Sequence, residues 1–348
     1  MNKVLNIILI SLFSLTVISC GEKEESTDST ATTTSNPLFV AVGDNGTIIT
    51  SSDGTTWTSR TSGTTEKLRG GAYGKSTLVV VGRSGTILTS SDGTTWTSRT
   101  SGTSNFLGNV TYKNSTFMAV GNSGTILTSS DGTTWTSKTS GTSEDLWGVT
   151  YGNSTWVTTG DNETILTSSD GTTWTARTSG TSKYILGLTY GNGLFVSVGE
   201  SGTILTSTDG TSWSSRTSGT SVDLENVIYK NELFMTVGQS GLISTSSDGI
   251  TWTSRTSGTT EGLLGVTYGN SIFVISGGAG TILTSTDGTS WTARTTATSN
   301  NLLRVTYGNG LFVTVGKEGT ILTSSDGISW TSRTSGTSNR LYGITYSE

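Results

Sequence analysis

The chain has 348 residues, of which 31% are hydrophobic and 13% charged, and its net charge is −5. Both fractions are low for a globular protein, but ten tryptophans, ten tyrosines and a regular apolar pattern argue against disorder. The acidic balance, with no long basic run, disfavours a nucleic-acid partner. With no histidine and one cysteine, the chain lacks His-based acid–base chemistry and the usual zinc ligand sets. We therefore expect no metal, no cofactor and no internal disulfide.

The first residues indicate export. A short positive start, Met1-Asn2-Lys3, is followed by an apolar run that ends at Ile18. The run is shorter than the roughly 20 residues that span a bilayer and fits a secretory signal. It ends in Val17-Ile18-Ser19-Cys20, which resembles the bacterial lipobox. The resemblance implies cleavage before Cys20 and lipidation of its sulfur, so residues 1–19 are predicted to be a lipoprotein signal peptide.

Residues 20–36 are polar, aperiodic and rich in Ser and Thr. This composition predicts a flexible tether between the lipidated cysteine and the rest of the chain. By resemblance to lipoprotein sorting patterns, Gly21 after the cysteine is no inner-membrane retention signal. The expected location is therefore the outer membrane, with the protein facing the periplasm or the cell surface.

A seven-residue motif, Ser-Ser/Thr-Asp-Gly-x-Thr/Ser-Trp, recurs at intervals of 39 residues, and residues 37–348 number 312, or eight such units. Periods near 40 residues are typical of solenoids, propellers and arrays. The aspartate and tryptophan of the motif are Asp53 and Trp57, Asp92 and Trp96, Asp131 and Trp135, Asp170 and Trp174, Asp209 and Trp213, Asp248 and Trp252, Asp287 and Trp291, and Asp326 and Trp330.

Each unit contains four short extended segments. In the last complete unit they are residues 302–307, 311–315, 320–323 and 330–334. They are rich in Val, Ile, Thr and aromatic residues and are bounded by Gly, Asn or Asp, which is the signature of strands joined by tight turns. Four antiparallel strands in about 40 residues match one blade of a propeller. The predicted fold is all-β: an eight-bladed β-propeller over residues 37–348.

The order of the segments at the two ends predicts closure. The domain begins in strand two, at Pro37, and ends in strand one, at residues 341–346. The last strand would complete the first blade as its innermost strand and so remove the open edges. The rival fold is an open β-solenoid, which would expose its edges and need atypical end units.

The repeated motif resembles the Asp-box, or BNR repeat, of sialidases, photosystem assembly factors and other propellers. Ser51-Ser52-Asp53-Gly54-Thr55-Thr56-Trp57 has the family's Ser, Asp, Thr and Trp in order, but is one residue shorter between Asp and Trp. The resemblance implies a structural turn between strands three and four, usually far from the ligand. We therefore assign the repeated Asp and Trp residues a structural role.

Differences among the eight units concentrate in the connection from strand four to the next strand one and in the turn between strands two and three. In an up-and-down blade these two lie on one rim, here called the variable rim, and the repeated motif lies on the opposite, constant rim. Binding residues favour loops on a rigid scaffold, and recognition surfaces favour aromatics and arginine. Random drift of unconstrained loops is the alternative. The predicted binding residues are Arg69, Arg83, Phe106, Trp147, Tyr184, Arg304, Arg340 and Tyr342.

Three function classes remain open. The main expectation is a monomeric envelope lipoprotein that recognises a protein or a glycan, and the alternative is an envelope assembly scaffold. The resemblance to sialidases would require three arginines, and Arg69, Arg304 and Arg340 could converge. However, no Tyr–Glu nucleophile pair stands out and the Arg-Ile-Pro signature is absent. We therefore expect no catalytic residues and no enzyme activity.

Overall fold

The computed structural model describes residues 37–347. The predicted signal peptide, Cys20 and the tether lie outside the described residues. The described chain forms eight four-stranded antiparallel sheets, and the inner strands of neighbouring sheets contact each other around the ring. This confirms the predicted eight-bladed β-propeller. Within residues 37–347, no helix is long and apolar enough to cross a membrane.

Blade 1 combines residues 38–60 with the C-terminal strand, and blades 2 to 8 follow in chain order. The inner strands are Leu68–Gly74, Leu107–Lys113, Leu146–Gly152, Ile185–Gly191, Leu224–Lys230, Leu263–Gly269, Leu302–Gly308 and Leu341–Ser347. The second strands are Leu38–Gly43, Thr77–Gly82, Thr116–Gly121, Thr155–Gly160, Leu194–Gly199, Leu233–Gly238, Ile272–Gly277 and Leu311–Gly316.

The third strands are Ile48–Ser51, Ile87–Ser90, Thr125–Ser129, Ile165–Ser168, Ile204–Ser207, Ile243–Ser246, Ile282–Ser285 and Ile321–Ser324. The outer strands are Thr58–Arg60, Thr97–Arg99, Thr136–Lys138, Thr175–Arg177, Ser214–Arg216, Thr253–Arg255, Thr292–Arg294 and Thr331–Arg333. Short 3-10 turns join strands two and three at Asp44–Gly46, Arg83–Gly85, Glu200–Gly202, Gln239–Gly241, Gly278–Gly280 and Lys317–Gly319.

The C-terminal strand closes the ring as predicted. Residues 341–347 pair antiparallel with residues 38–43 as the inner strand of blade 1, with Leu38 opposite Ser347 and Val40 opposite Thr345. The hydroxyl of Ser347 accepts a hydrogen bond from the Leu38 N–H at 3.0 Å, which fastens the end of the strand. The first and last segments of the propeller thus share one sheet, and the open solenoid is excluded.

The apolar core lies between the blades. One cluster joins the second-strand residues Val79 and Val81 of blade 2 to Leu107, Phe117 and Leu127 of blade 3, all of them fully buried. Equivalent clusters occupy the other interfaces. A single sheet therefore has no apolar core of its own. Burial of its apolar side chains against both neighbouring sheets stabilises it.

The outer strands are held to the sheets by side chains as well as by backbone. In blade 1, Arg60 Nε donates to the Thr50 hydroxyl at 2.7 Å. The same bond forms from Arg99, Arg177, Arg216, Arg255, Arg294 and Arg333 to the matching threonine of the third strand. These repeated arginines therefore serve the blade itself.

The glycine that ends each second strand allows the variable rim to pack tightly. A Cβ at Gly199 would lie 2.0 Å from the Tyr184 backbone oxygen, and a Cβ at Gly160 would lie 2.0 Å from that of Asp145. We expect Gly199→Ala to destabilise the fold by about 1–3 kcal/mol, as overpacking does. Urea unfolding of the full chain measures this. Gly70→Ala is the control, because its nearest neighbour would be 3.6 Å away; equal stability losses for the two variants would contradict the argument.

Candidate functional site

On the constant rim, each repeated aspartate holds its own turn. In blade 1, Asp53 Oδ1 accepts hydrogen bonds from the N–H groups of Thr55 and Thr56, each at 2.8 Å, and from the Ser51 hydroxyl at 2.9 Å. The Trp57 indole N–H donates to the Gly54 carbonyl at 3.0 Å. Corresponding aspartate bonds recur in all eight blades. These contacts are those of a structural turn.

The same hydrogen bonds stabilise the charged form of the aspartates. The Thr55 hydroxyl, followed by the N–H groups of Thr56 and Thr55, holds the pKa of Asp53 well below its ordinary value. Backbone N–H groups of Thr251 and Ile250 lower the pKa of Asp248 to about 2. Every one of the eight carboxylates is shifted in this direction.

This shift predicts acid sensitivity. A carboxyl whose pKa is lower in the folded state stabilises the fold above its unfolded pKa, and the contribution is lost as the pH falls through the folded value. The ordinary value is 3.8, and the folded value of Asp248 is about 2. In urea unfolding, Asp248→Asn should be less stable than the parent at about pH 6, with the difference shrinking towards about pH 2. A difference that is independent of pH would show that the charge of Asp248 does not contribute.

On the variable rim, the connection that leads into each blade packs against the two-to-three turn of that blade and against that of the blade before it. Side chains of the connection bond to this turn in several blades. Asp145 Oδ1 accepts from the Ser123 N–H at 2.8 Å, and Asp223 Oδ1 accepts from the Ser201 N–H at 2.9 Å. Asn105 donates to the Thr125 hydroxyl at 2.9 Å. Some of the variable side chains therefore stabilise the loops themselves, and others do not take part in these hydrogen bonds.

A β-bulge occupies the variable-rim end of every inner strand. The second residue of the strand has no partner in the register with strand two, as at Arg69 between the pairs formed by Leu68 and Gly70. We call this the mouth position, because inner strands line the central channel. The eight mouth residues are Arg69, Gly108, Trp147, Leu186, Glu225, Leu264, Leu303 and Tyr342.

In three blades the mouth residue is hydrogen-bonded to the first residue of its own two-to-three turn. The Trp147 indole N–H donates to Asp161 Oδ1 at 2.6 Å, and the Tyr342 hydroxyl to Asp44 Oδ2 at 3.3 Å. The Gln239 amide donates to Glu225. Each of these pairs joins one donor to one acceptor, which fixes the side chain at the channel mouth.

Blade 2 has no such pair, since Arg69 and Arg83 occupy the two matching positions. Both are donors and both are cations, so neither can satisfy the other. Arg69 turns towards blade 1, where its Cζ lies 5.5 Å from the centre of the Tyr342 ring. Arg83 is exposed. The two side chains at these positions of blade 2 therefore offer hydrogen-bond donors and no acceptor.

Three cations surround the Tyr342 ring. Lys67 Nζ lies 4.4 Å from the ring centre, and the Cζ atoms of Arg69 and Arg340 each lie 5.5 Å from it. Such contacts attract each cation to the ring, but they leave the mutual repulsion of the cations in place. The closure of the ring brings these residues together, since Arg340 and Tyr342 follow blade 8 and Lys67 precedes blade 2.

Arg304 adds a fourth cation on the wall of the channel. Its Nη1 donates to the Leu303 carbonyl at 2.9 Å and to the Leu264 carbonyl at 3.4 Å. Burial, and then the charge of Arg69, lower the pKa of Arg304 to about 10, while Glu225 opposes the shift. Burial also lowers the pKa of Arg69. Both guanidinium groups remain charged at neutral pH despite the cost of burial.

We call Lys67, Arg69, Arg304, Arg340 and Tyr342 the cationic sector. Among residues 37–347 the single ion pair is Lys183–Glu200, at 3.8 Å and half exposed. None of the four cations of the sector therefore has a carboxylate within ion-pair distance in the described part of the chain. Asp44 lies nearby, and its carboxylate accepts from Tyr342, while the charge of Glu225 acts on Arg304.

The aromatic predictions meet on blades 3 and 4. Gly108 has no side chain, and a Cβ placed there would lie 3.5 Å from the Trp147 ring and 3.7 Å from the Phe106 ring. Asn122, in the two-to-three turn of blade 3, bonds through its N–H to the Phe106 carbonyl at 2.9 Å. The Phe106 and Trp147 rings thus pack over Gly108, beside the turn that contains Asn122, and this group of residues is here called the aromatic notch.

The predicted binding residues divide into two groups and two outliers. Arg69, Arg304, Arg340 and Tyr342 come together in the cationic sector, and Phe106 and Trp147 in the aromatic notch. Tyr184 is 46% exposed on blade 5, beside Glu200, and Arg83 lies exposed on its turn. Lys67 and Asn122 were not among the predicted residues. Their signal was present, since each belongs to a position that varies among the units.

The described residues contain no group of three or more acidic or sulfur ligands that could hold a metal ion. At the channel mouth these side chains present positive charge, hydrogen-bond donors and aromatic faces.

Comparisons with known proteins agree with a propeller. Residues 194–303 match the family described as DUF6242 beta propeller domain. YCF48 from Cyanidioschyzon merolae is similar in structure, with a TM-score of 0.57 at 17% identity over 74% of this chain and 94% of that chain. YCF48 bound to D1 peptide gives a TM-score of 0.59 at 19% identity over 74% and 91%.

The computationally designed Ika8 protein gives a TM-score of 0.69 at 12% identity, over 81% of this chain and 91% of that chain. At these identities the likeness shows the fold alone. No curated protein matches the chain. The chain is thus an eight-bladed β-propeller, similar in fold to YCF48.

Proposed function

We propose that this protein is an envelope lipoprotein whose propeller recognises an anionic protein or glycan through the cationic sector of its variable rim. The observation that carries the proposal is the group of four cations at the channel mouth, none of which has a carboxylate within ion-pair distance among the described residues. Like charges held close together repel, and partial burial increases that cost. A bound anion would relieve both.

The fixed geometry of the sector supports recognition of a specific anion. Tyr342 is held by Asp44 and sits at the bulge of an inner strand that pairs with residues 38–43. Arg69 and Arg304 project from two further inner strands, so rigid elements position the arginine side chains. Arginine offers paired donors to carboxylate, phosphate and sulfate groups. A preformed site of this kind loses little conformational entropy on binding.

The remaining parts of the proposal rest on sequence. Cys20 would carry the lipid anchor, residues 20–36 would hold the propeller away from the membrane, and the outer membrane is the proposed location. The repeated turns of the constant rim are proposed to be Asp-boxes with a structural role, which their hydrogen bonds support. The proposed activity is binding without catalysis, by a monomer that needs no cofactor.

A role as an envelope assembly scaffold is the second candidate. The structural likeness to YCF48, one structure of which is described as bound to D1 peptide, favours it. The two candidate functions differ in location: a receptor must expose its variable rim at the cell surface, whereas a scaffold would work in the periplasm. Protease added to intact cells should cleave a surface-exposed receptor and leave a periplasmic scaffold intact.

The direct test is binding of the full-length chain, purified in detergent, to an array of glycans and extracellular-matrix proteins. We expect selective binding to anionic members and loss of that binding in the Lys67→Ala/Arg69→Ala/Arg340→Ala variant. Binding that ignores ligand charge, or that survives in the variant, would contradict the proposal. Binding to nothing on the array would favour the scaffold, whose partner would be sought by cross-linking in cells.

A further inference from the structure

The cationic sector carries more positive charge than nearby carboxylates neutralise. The charges of Arg69 and Glu225 both act on Arg304, and the carboxylate of Asp44 accepts from the Tyr342 hydroxyl. Asp44 and Glu225 are thus the two acids shown to act on this group of residues. Four cations opposed by two carboxylates leave two positive charges in the sector.

The charged residues at the edges of the sector do not change this balance. Lys317 and Glu318 lie on the two-to-three turn of blade 8, which packs against the C-terminal strand, and their charges cancel. Glu66 precedes Lys67 in the connection into blade 2, and Arg83 lies on the two-to-three turn of that blade. The charges of Glu66 and Arg83 also cancel. A ligand with two negative charges would therefore neutralise the sector.

The donors of the sector lie around one ring. Lys67 Nζ lies 4.4 Å from the centre of the Tyr342 ring, and the Cζ atoms of Arg69 and Arg340 each lie 5.5 Å from that centre. These three cationic side chains are partly exposed, and no hydrogen bond or ion pair joins them to another residue among residues 37–347. A carboxylate has two oxygens in one plane, whereas a phosphate ester has three terminal oxygens that accept from different directions. Donors from three separate residues therefore suit a phosphate better than a carboxylate.

The surroundings of the sector favour a hydrophilic carrier for the phosphate. Beside Arg340, the Asn45 amide donates to the Asn339 side-chain oxygen at 3.0 Å in an exposed contact. Amide groups both donate and accept, as sugar hydroxyl groups do. Protein interfaces rely instead on exposed aromatic and apolar anchors. Within residues 37–347 the exposed large apolar side chains lie elsewhere, on blade 5 and in two turns of the constant rim, as Tyr184, Ile250 and Ile328.

From these observations we propose that the anionic ligand of the cationic sector is a sugar phosphomonoester, the dianion of which neutralises the two unopposed charges. The inference rests on the proposed function, because it names the ligand class of the same site. A phosphomonoester loses its second proton with a pKa of about 6. The chain has no histidine, the residue whose ordinary pKa lies in that range. A change in affinity between pH 5 and pH 7.5 would therefore follow the ionisation of the ligand.

The test compares three sugars that differ mainly in their anionic group: glucose 6-phosphate, glucose 6-sulfate and glucuronate. Isothermal titration calorimetry with the full-length chain, purified in detergent, gives each affinity at pH 7.5 and at pH 5. At pH 7.5 glucose 6-phosphate should bind roughly tenfold more tightly than either monoanion. Its affinity should fall about tenfold at pH 5, because only about a tenth of it is then a dianion. Glucose 6-sulfate keeps one charge throughout and controls for any effect of pH on the protein.

Two further probes place the ligand and its carrier. The Arg69→Ala/Arg340→Ala variant should weaken glucose 6-phosphate binding about a hundredfold, as the loss of two arginine anchors does. Poly-glutamate, an anionic polymer without phosphate, tests the sector independently of the phosphate. A glycine–phosphoserine–glycine peptide carries the same phosphate group on a protein backbone. If this peptide binds more tightly than glucose 6-phosphate, the ligand is a phosphoprotein and the inference of a sugar is wrong.

The outcomes separate the inference from the proposed function. If glucuronate or glucose 6-sulfate binds as tightly as glucose 6-phosphate, if none of the three sugars binds, or if the affinity for glucose 6-phosphate is the same at both pH values, the ligand is not a sugar phosphomonoester. The proposed function then still stands, provided that poly-glutamate binds to the parent and not to the arginine variant. If that variant binds glucose 6-phosphate and poly-glutamate as the parent does, the proposed function itself is wrong.

Discussion

Replacing Arg69 and Arg340 together by alanine should weaken binding of an anionic ligand by about a hundredfold, as expected when two central arginine anchors are lost. Both guanidinium groups lie 5.5 Å from the Tyr342 ring, and neither has an ion pair among the described residues. Their removal breaks no ion pair within the protein, so the melting temperature should not fall. Calorimetric titration with poly-glutamate and thermal unfolding measure the two effects.

A matched control removes the same charge from the other rim. Lys113 and Lys230 are exposed at the constant-rim ends of their inner strands. The Lys113→Ala/Lys230→Ala variant changes the net charge by the same amount as the arginine variant. If binding depends on net charge alone, the two variants will weaken it equally, and the cationic sector is then not a site.

Salt dependence adds a second criterion. Exposed charges are screened within about 10 Å at 0.1 M salt, while partly buried charges are screened much less. Arg69 and Arg304 are partly buried, and burial lowers the pKa of each. Binding should therefore weaken with added salt but persist at concentrations that abolish purely exposed contacts. Complete loss at modest salt would place the contact on exposed residues such as Arg83.

The architecture follows from features that are visible in sequence. The 39-residue interval between Asp-Gly turns, and a domain that begins at strand two and ends at strand one, predicted eight blades and their closure. Strand ends were less predictable. Trp330 was assigned to strand four, but the outer strand begins at Thr331, because the tryptophan ring belongs to the turn and packs against Phe312 of the second strand. Local turn packing therefore decides where the strand starts.

The site was predictable only in outline. Comparing the eight units places the candidate binding residues on the variable rim, but it does not show which of them meet. Lys67 and Tyr342 are distant in sequence and come together because the ring closes. Nor could sequence show that Asp145 and Asp223 accept hydrogen bonds from backbone N–H groups, or that the Asn122 side-chain oxygen has no donor among the described residues. Each of these facts depends on contacts between loops that only the folded ring brings together.

Deleting residues 341–348 should prevent stable folding, because the C-terminal strand both completes the sheet of blade 1 and supplies buried side chains to the interface between blades 8 and 1. It is the inner strand of blade 1, and Leu341 is fully buried in the cluster that contains Phe39, Ala41 and Val315. Its loss exposes the edge of residues 38–43 and removes the contacts that this strand makes with the inner strands of blades 2 and 8. Burial of one large apolar side chain contributes about 1.5–3 kcal/mol. With several such contacts and a full strand ladder lost, the cost should approach the total stability of about 5–15 kcal/mol that is usual for a domain.

Thermal unfolding followed by circular dichroism measures the effect, with deletion of Glu348 alone as the control. A synthetic peptide of residues 341–348 added to the truncated chain should restore cooperative unfolding. The missing strand is held to residues 38–43 by backbone hydrogen bonds, which a separate peptide can form as well. A truncated chain that unfolds at the parent's temperature would show that blades 2 to 8 and the rest of blade 1 hold the ring together alone. The cationic sector would be lost in either case, because Tyr342 lies on the deleted strand. Closure of the ring and assembly of the proposed site are therefore the same structural event.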